Sequence, residues 1–244
     1  MEHIVDIHMH LVPGVDDGSR SLRDSEEMIR SEVAQGVGTI FATPHSFAFD
    51  WNPARVRVAF EELRQYAARL ELPVSLYLGC EILVSPETAD SCVYDLNRGI
   101  YPSMGGTRYV LIEFDPYSFT LRDAEICVRK FTAARYIPIV AHAERYLFTD
   151  ADGVRALKEL GAAVQINAYS VREEQDPQIR DAANALLDRR LADFIGTDAH
   201  RPSHRPPRIA EGVAAIEETV PPGYARQICV TNARERLIPS QRSD

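Results

Sequence analysis

Residues 6–18 read Asp-Ile-His-Met-His-Leu-Val-Pro-Gly-Val-Asp-Asp-Gly, and two histidines one residue apart after an apolar run are candidate metal ligands. If Ile4 to Met9 is a strand, side chains two apart project to the same face. His8 and His10 then reach one ion from the strand's end, with Asp6 on that face behind them. Pro13-Gly14 turns the chain, and Asp16-Asp17-Gly18 is a second turn that can bring a carboxylate back over that end. A bare His-x-His is equally consistent with two surface histidines ahead of a loop. The rest of the chain decides between the two.

Composition narrows the function classes. The 244 residues, 45% of them hydrophobic, suit one large α/β domain with a substantial core. No linker, repeat or low-complexity tract interrupts them, so residues 1–244 are expected to form a single domain. A net charge of −9 argues against nucleic acid as the main partner, because no long Lys/Arg face is present to release counterions. No apolar run reaches the length of a membrane span, and Met1-Glu2-His3-Ile4 does not open a signal peptide. No membrane insertion is expected. The four cysteines, Cys80, Cys92, Cys127 and Cys229, lie far apart, which fits a reduced, cytoplasmic protein with buried thiols. The stretch Cys92-Val-Tyr-Asp-Leu-Asn-Arg98 has the Cys-x5-Arg spacing of a cysteine-dependent phosphatase loop. Such a loop needs permissive backbone around the phosphate and a low thiol pKa. This one has no glycine, carries Asp95 and reads as the end of a helix, so the spacing is coincidental.

Strands and helices must alternate to position the candidates. A helix starts at Ser21-Leu22-Arg23-Asp24 and runs to about Gln35, stopped by Gly36. The Glu26-Glu27 pair in it reads as a solvated face. Strand two is Gly38 to Thr43, closed by Pro44-His45, and a long helix follows with Val56, Phe60, Leu63, Ala67 and Leu70 on one face. Strand three runs from Val74 to Gly79 and on into Cys80-Glu81. After a shorter helix, strand four is Tyr109 to Ile112 and leads to Glu113. A helix over about Leu121 to Arg135 precedes strand five, Ile137 to Ala141, which ends at His142. Strand six is Ala163 to Ile166, ending at Asn167, and strand seven is Asp193 to Thr197, ending at Asp198-Ala199-His200. Helical stretches near Ile209–Thr219 and Tyr224–Leu237 close the chain.

Short apolar strands separated by helices predict a parallel sheet. When such a sheet closes into a barrel, the carboxyl ends of its strands share one rim, where barrel enzymes carry their functional groups. His8, His10, His45, Glu81, Glu113, His142, Asp198 and His200 would converge there, and they include five of the seven histidines in the chain. A core histidine or a solvated glutamate explains any single position. It does not explain the coincidence, which points to a shared metal centre.

Together these residues resemble the PHP (polymerase and histidinol phosphatase) superfamily, and within it the bacterial manganese-dependent tyrosine-protein phosphatases of capsule and exopolysaccharide systems. The matching stretches are Asp6-Ile-His-Met-His10, Leu11-Val-Pro-Gly-Val-Asp-Asp-Gly18, Thr43-Pro-His45, Gly79-Cys-Glu81, Ile112-Glu113, His142-Ala-Glu-Arg-Tyr146, Thr197-Asp-Ala-His200 and Arg205-Pro-Pro207. They span nearly the whole chain, and the Pro-Gly-x-Asp-Asp-Gly turn with His-Ala-Glu-Arg-Tyr is specific to this branch. Met9 and Arg201 depart from it, neither expected to touch a presumed ligand.

The resemblance implies an α/β fold, a distorted seven-stranded (β/α) barrel of PHP type, with three metal ions. By position His8, His10, Asp17, His45, Glu81, Glu113, His142, Asp198 and His200 correspond to the ligands. Imidazole and carboxylate without thiolate suit Mn²⁺, Fe or Zn²⁺. Four carboxylates and a bridging hydroxide against three divalent ions leave a centre near +1, ready for a phosphomonoester. Metals lower the pKa of bound water and so supply the attacking hydroxide. Arg145 and Arg205, just past strands five and seven, are candidate phosphate clamps, since guanidinium meets phosphate oxygens bidentately. Either could instead pair with a nearby carboxylate such as Glu144. Asp16 and Asn167 are supporting groups or simple turn residues, and His204 is a weak candidate for a general acid. The expected function is hydrolysis of phosphotyrosine in proteins, among them a membrane-bound tyrosine kinase that controls polysaccharide export. The alternatives are a small-molecule phosphoesterase of the histidinol-phosphate kind and a non-catalytic metal-binding module. Cys92→Ser is expected to leave turnover essentially intact. Loss of several orders of magnitude in a folded variant, measured on an aryl phosphate, would restore the cysteine mechanism.

Overall fold

The computed structural model describes residues 3–47, 52–146, 148–172 and 175–239. Their apolar runs form eight strands. β1 (Ile4–Met9), β2 (Val37–Ala42) and β3 (Ser75–Leu78) make one sheet in that order. β4 (Glu81–Leu83), β5 (Tyr109–Glu113), β6 (Ile137–Val140), β7 (Ala163–Asn167) and β8 (Phe194–Gly196) make the second. Every pairing is parallel, as expected when helices occupy the crossovers.

The expected count of seven strands is corrected here to eight in two sheets. The third expected strand breaks at Gly79-Cys80, and Glu81 opens a strand of its own instead of ending one. A Cβ on Gly79 would stand 2.6 Å from Met104 Sδ and 3.1 Å from Thr43 Cγ2, so the chain squeezes through as glycine. The backbone also changes partners there. Gly79 N–H donates to Ala42 O at 2.8 Å, whereas Ile82 pairs with Ile112 of β5.

The two sheets touch along two seams, one past the carboxyl ends of β1 and β8, the other between the loop after β2 and the start of β4. At one, Asp198 N–H donates to His8 O at 2.8 Å and His10 N–H to Ala199 O at 2.9 Å. At the other, Glu81 N–H donates to Pro44 O at 3.1 Å and Ser46 N–H to Glu81 O at 2.8 Å. Candidate site residues therefore supply much of the backbone that stitches the sheets together.

The helices follow their caps. In α1 (Leu22–Ala34) the Ser21 hydroxyl accepts from Asp24 N–H at 3.2 Å, and Gly36 leaves the helix with φ +90°, which favours glycine. α2 (Pro53–Arg69) and α3 (Ala89–Asn97) precede α4 (Leu121–Ala133), which opens on a Thr120–Asp123 capping box. α5 (Ala151–Glu159) and α6 (Pro177–Asp188) fill crossovers in which the sequence reading places no helix. Their start signals are the Asp150 and Asp176 side chains, which accept from Gly153 N–H and Gln178 N–H, both at 2.8 Å. α7 (Ile209–Thr219) has the expected bounds. The last expected helix is divided, α8 (Pro222–Arg226) passing through a π turn into α9 (Asn232–Arg236). A buried cluster of Ile7, Phe41, Leu111, Ile139 and Phe194 is closed by Ala233 and Leu237 at this end of the chain. The larger apolar layer lies between strands and helices.

Gly212 brings α7 hard against the turn that follows β7. A Cβ there would stand 2.1 Å from Ala168 O. Gly212→Ala is therefore expected to lower unfolding free energy by about 1–3 kcal/mol, the usual cost of overpacking. Denaturant titration checks this; a change within about 0.5 kcal/mol, typical of an unconstrained surface site, would show that the helix can back away.

Candidate metal centre

β1 delivers His8 and His10, the loops after β2 and β6 deliver His45 and His142, β4 starts at Glu81, β5 ends at Glu113, and the segment after β8 carries Asp198 and His200. His8 Nε2 and His10 Nε2 lie 3.2 and 3.3 Å from Glu81 Oε2, and 3.7 and 3.3 Å from Asp198 Oδ1. These four residues form one group able to hold a cation. Asp17 Oδ1 lies 3.6 Å from His45 Nε2 and 3.5 Å from His200 Nε2, and with His10 they form a second. His45 Nδ1 is 2.9 Å from Glu81 Oε2 and 3.2 Å from Glu113 Oε1, the third group. His142 stands outside all three, with Nε2 2.8 Å from Glu81 Oε1 and 3.9 Å from Glu113 Oε2. All nine expected ligands are thus brought to one place. The deep side, His8, His10, Glu81, Asp198 and His200, is buried, whereas Asp17 at the mouth is 65% exposed.

Residues that the sequence reading left open or passed over orient this set. Asp16 Oδ2 lies 2.8 Å from His10 Nδ1 and accepts from His45 N–H at 3.1 Å, and Oδ1 accepts from Gly18 N–H at 2.9 Å. Gln165 Oε1 lies 3.2 Å from His8 Nδ1 and accepts from His142 N–H at 2.8 Å. Asp198 O is 2.9 Å from His200 Nδ1. With Nδ1 engaged, each of these rings turns Nε2 inward, the arrangement that fixes tautomer and direction in histidine metal sites. Asn167 Oδ1 accepts from Gln165 Nε2 at 2.8 Å, and its Nδ2 lies 3.4 Å from Asp198 Oδ2. Asp6 accepts from His8 N–H and Thr197 N–H, both at 3.0 Å, and from the Thr197 hydroxyl at 2.5 Å. Gln165 was visible as a lone amide in an apolar strand, two residues before Asn167 on the same face. Arg201, not expected to touch a presumed ligand, does so through the backbone: its Nε and Nη2 donate to Asp17 O at 2.9 and 2.6 Å and anchor that loop.

The donor set fits divalent ions. His8 Nε2, His10 Nε2 and Glu81 Oε2 are buried and aimed at one another without hydrogen-bond geometry, an arrangement that an apolar core would not tolerate. Burial pushes His45 down, but Glu113 and Glu81 raise its imidazole to about 9. Burial also raises the Asp16 carboxyl, and the charge and hydrogen bond of His10 bring it down to about 2. Glu81 and Asp198 lie well below the carboxylate range despite burial, chiefly because His8 faces both. His200 goes the other way, to about 3, through burial with His10 and Arg205 beside it. The carboxylate side of the centre attracts positive charge, and the donors are oxygen and imidazole nitrogen.

Both candidate arginines border the centre. Asp198 Oδ1 faces the imidazoles, while Oδ2 lies 2.8 Å from Arg145 Nη1 and is bonded by Arg205 Nη2. Arg205 Nη1 is also 2.9 Å from His200 Nε2. Glu144 acts on Arg145 through its charge, while its hydrogen bonds go to Asn167 N–H at 3.0 Å and the Ser170 hydroxyl at 2.7 Å. The arginines line a cavity of about 160 Å³ over Glu113 and His142, walled by Phe114, Pro116 and Tyr146. His142, Asp198 and Arg205 have φ of +32°, +55° and +55°, costs on the order of 1–3 kcal/mol each that proteins concentrate at working sites. His204 is exposed in the turn that pairs it with Arg201. Cys92 is buried on α3, and burial pushes its thiol up, the opposite of a phosphatase nucleophile. Cys80, Cys127 and Cys229 are likewise free and buried.

Comparison with known proteins gives a consistent result. A family model described as capsular polysaccharide synthesis, CpsB/CapC, matches residues 4–238. The chain is 32% identical to the tyrosine-protein phosphatase YwqE of Bacillus subtilis, over 98% of this chain and 92% of the relative. It is 27% identical to the tyrosine-protein phosphatase CpsB of Streptococcus pneumoniae, over 96% and 98%. A crystal structure from work on YwqE and CpsB, described there as unique metal-dependent tyrosine phosphatases, superposes with a TM-score of 0.86 at 30% identity, covering 96% of this chain and 94% of its own.

Asp16 belongs to none of the three groups of converging donors yet holds His10 in place. Asp16→Asn is expected to weaken metal binding about 10–100-fold, the usual cost of removing such a partner, without unfolding the protein. Metal titration followed by calorimetry reads this directly. Unchanged affinity would reduce Asp16 to a turn residue.

Proposed function

The chain belongs to the CpsB/CapC family of capsular polysaccharide synthesis, and from that premise we propose that it is a metal-dependent protein-tyrosine phosphatase. The observation that carries this reading is the convergence of buried, unpartnered His8 Nε2, His10 Nε2 and Glu81 Oε2 beside two arginines. The ligands are His8, His10, Asp17, His45, Glu81, Glu113, His142, Asp198 and His200, holding three divalent ions, Mn²⁺ by family resemblance. Bound ions would supply hydroxide at neutral pH and neutralise charge on the phosphoryl oxygens. The three overlapping donor groups support that number.

The chain's own side chains do the rest. Arg145 and Arg205 bind the phosphoryl oxygens and place phosphorus over the centre. Their forks suit charge that shifts as the ester bond breaks. A tyrosyl leaving group, with a pKa of about 10, needs little help from a general acid, and none is assigned. Gln165 and Asp16 hold the His8 and His10 rings. Phe114, Pro116 and Tyr146 line the cavity and offer apolar surface to the tyrosyl ring.

A protein substrate needs an accessible rim. Arg145 and Arg205 are 34% and 37% exposed at the mouth, which favours phosphotyrosine in a protein over a small phosphomonoester of the histidinol-phosphate kind in a closed pocket. The intact donor set counts against a non-catalytic module. A tyrosine kinase of polysaccharide export is the proposed partner. The two sheets are read as one distorted barrel, supported by the hydrogen bonds at both seams, with β3 and β4 as one interrupted stave. Residues 1–244 are read as one domain. Among the described residues no helix is long and apolar enough to cross a membrane; the proposed location is the cytoplasm.

Turnover of a phosphotyrosine peptide, beside a phosphoserine peptide and histidinol phosphate, with Mn²⁺ and with chelator, tests the reading. Activity should vanish on chelation, return with Mn²⁺ and favour phosphotyrosine; full activity in metal-free protein ends the proposal. Arg145→Ala and Arg205→Ala should each lower kcat by about 10²–10³, the usual cost of losing a donor to developing charge, and keep their metal. Lysine should rescue only partly. His10→Ala should lose metal and activity together.

A further inference from the structure

Beside the centre, on the far side of Arg145 and Arg205, lies a second cavity of about 240 Å³. It shares Arg145, Asp198 and Arg205 with the cavity over Glu113 and His142 and continues past Asn167 to Tyr169 and Arg208. A substrate whose phosphate sits on the two shared arginines therefore has a built route along which its remaining chain can lie.

The wall of that groove is unusually well fixed. Tyr169 belongs to the turn Ala168–Val171 after β7, and Gly212 lets α7 pack directly on that turn, since a Cβ there would strike Ala168 O at 2.1 Å. Gln35 clamps the approach to α7 from the other side. Its Nε2 donates to Pro207 O at 2.9 Å and its Oε1 accepts from Ala210 N–H at 3.0 Å. Between these clamps the Arg208 guanidinium lies 4.1 Å over the Tyr169 ring. A bidentate pair with Glu211, Nε to Oε1 at 2.9 Å and Nη2 to Oε2 at 2.8 Å, sets its plane. A cation locked in this way loses little freedom on binding an anion.

The charge of the lining is the second observation. Among the described residues three arginines line the groove; Arg145 and Arg205 both engage Asp198, and Arg208 is paired with Glu211. Three guanidiniums against these two carboxylates leave the described lining with a small excess of positive charge on a chain of net charge −9.

We propose that this groove binds the peptide flanking the phosphotyrosine and selects a carboxylate side chain next to it, with Arg208, steadied on Tyr169, as the specificity-determining residue. This rests on the phosphotyrosine reading and adds the sequence context of the substrate. Reaction chemistry stays with the metal centre and Arg145 and Arg205. Arg208 acts on capture of the peptide alone.

The test compares kcat/KM for two phosphotyrosine peptides that differ only in Asp and Glu against Asn and Gln beside the phosphotyrosine, with p-nitrophenyl phosphate as a substrate too short for the groove. Wild-type Mn²⁺-loaded enzyme should prefer the acidic peptide about tenfold, the scale of one charge-assisted hydrogen bond, mainly through KM. Arg208→Gln should bring that preference within about twofold of unity while p-nitrophenyl phosphate turnover stays within about twofold of wild type. Tyr169→Leu, which removes the ring under the guanidinium, should lower the preference about threefold, the scale of an exposed cation–π contact. Equal turnover of both peptides by the wild type overturns the groove and leaves the phosphatase reading standing. A preference that survives Arg208→Gln, or an equal loss on all three substrates, also overturns it. Turnover of p-nitrophenyl phosphate with neither peptide accepted overturns both readings.

Discussion

Three buried atoms face one another without hydrogen-bond geometry, Nε2 of His8, Nε2 of His10 and Oε2 of Glu81, and much of the fold exists to hold them there. Each unsatisfied buried polar group costs about 1–3 kcal/mol. The same strands offset this with residues such as Ile7, Leu111 and Ile139, all fully buried, each contributing roughly 1.5–3 kcal/mol on burial. Stability is generated beneath the rim and used at it. The rim itself is kept from relaxing by the Asp16, Gln165 and Asp198 contacts that occupy the outer nitrogen of each ring.

The same residues join site and scaffold. The backbone of His8, His10, Glu81 and Asp198 makes the hydrogen bonds at the seams between the sheets, so a shift in either sheet moves proposed ligands directly. This coupling explains why left-handed backbone at His142 and Asp198 persists: hydrogen bonds on several sides hold the strained residues. His142 N–H is held by Gln165 and Asp198 N–H by His8 O.

Asp198 divides the centre into two sides. One oxygen faces His8 and His10, the other Arg145 and Arg205. A single carboxylate thus touches both the side that would bind cations and the side that would bind phosphate. The arginines lie at the boundary between a small, partly aromatic cavity of about 160 Å³ and a larger one of about 240 Å³.

The strand ends were legible because an ionisable residue after an apolar run is conspicuous. His45, Glu113, His142 and Asp198 could be placed on one rim before any coordinates. Helix starts with a Ser or Thr cap, such as Ser21, were equally plain, whereas α5 and α6 were passed over although Asp150 and Asp176 announce them. Gln165 escaped notice because a neutral amide in a strand carries no chemical signature until its two histidine neighbours are known. The contact of Arg201 with Asp17 is not legible in the sequence because its partner is a backbone carbonyl, and every residue offers one of those. The break at Gly79 was missed because glycine at a strand's end reads as a turn, and only the Met104 side chain shows how little room is left. The sequence by itself determined which side chains are available and, through strand periodicity, which end of each strand carries them. Only the tertiary structure decided which nitrogen of each imidazole turns inward, which carboxylate oxygen faces which cation, and where a groove leaves the centre. These depend on contacts between residues far apart in the chain, and no local pattern encodes distances across a seam.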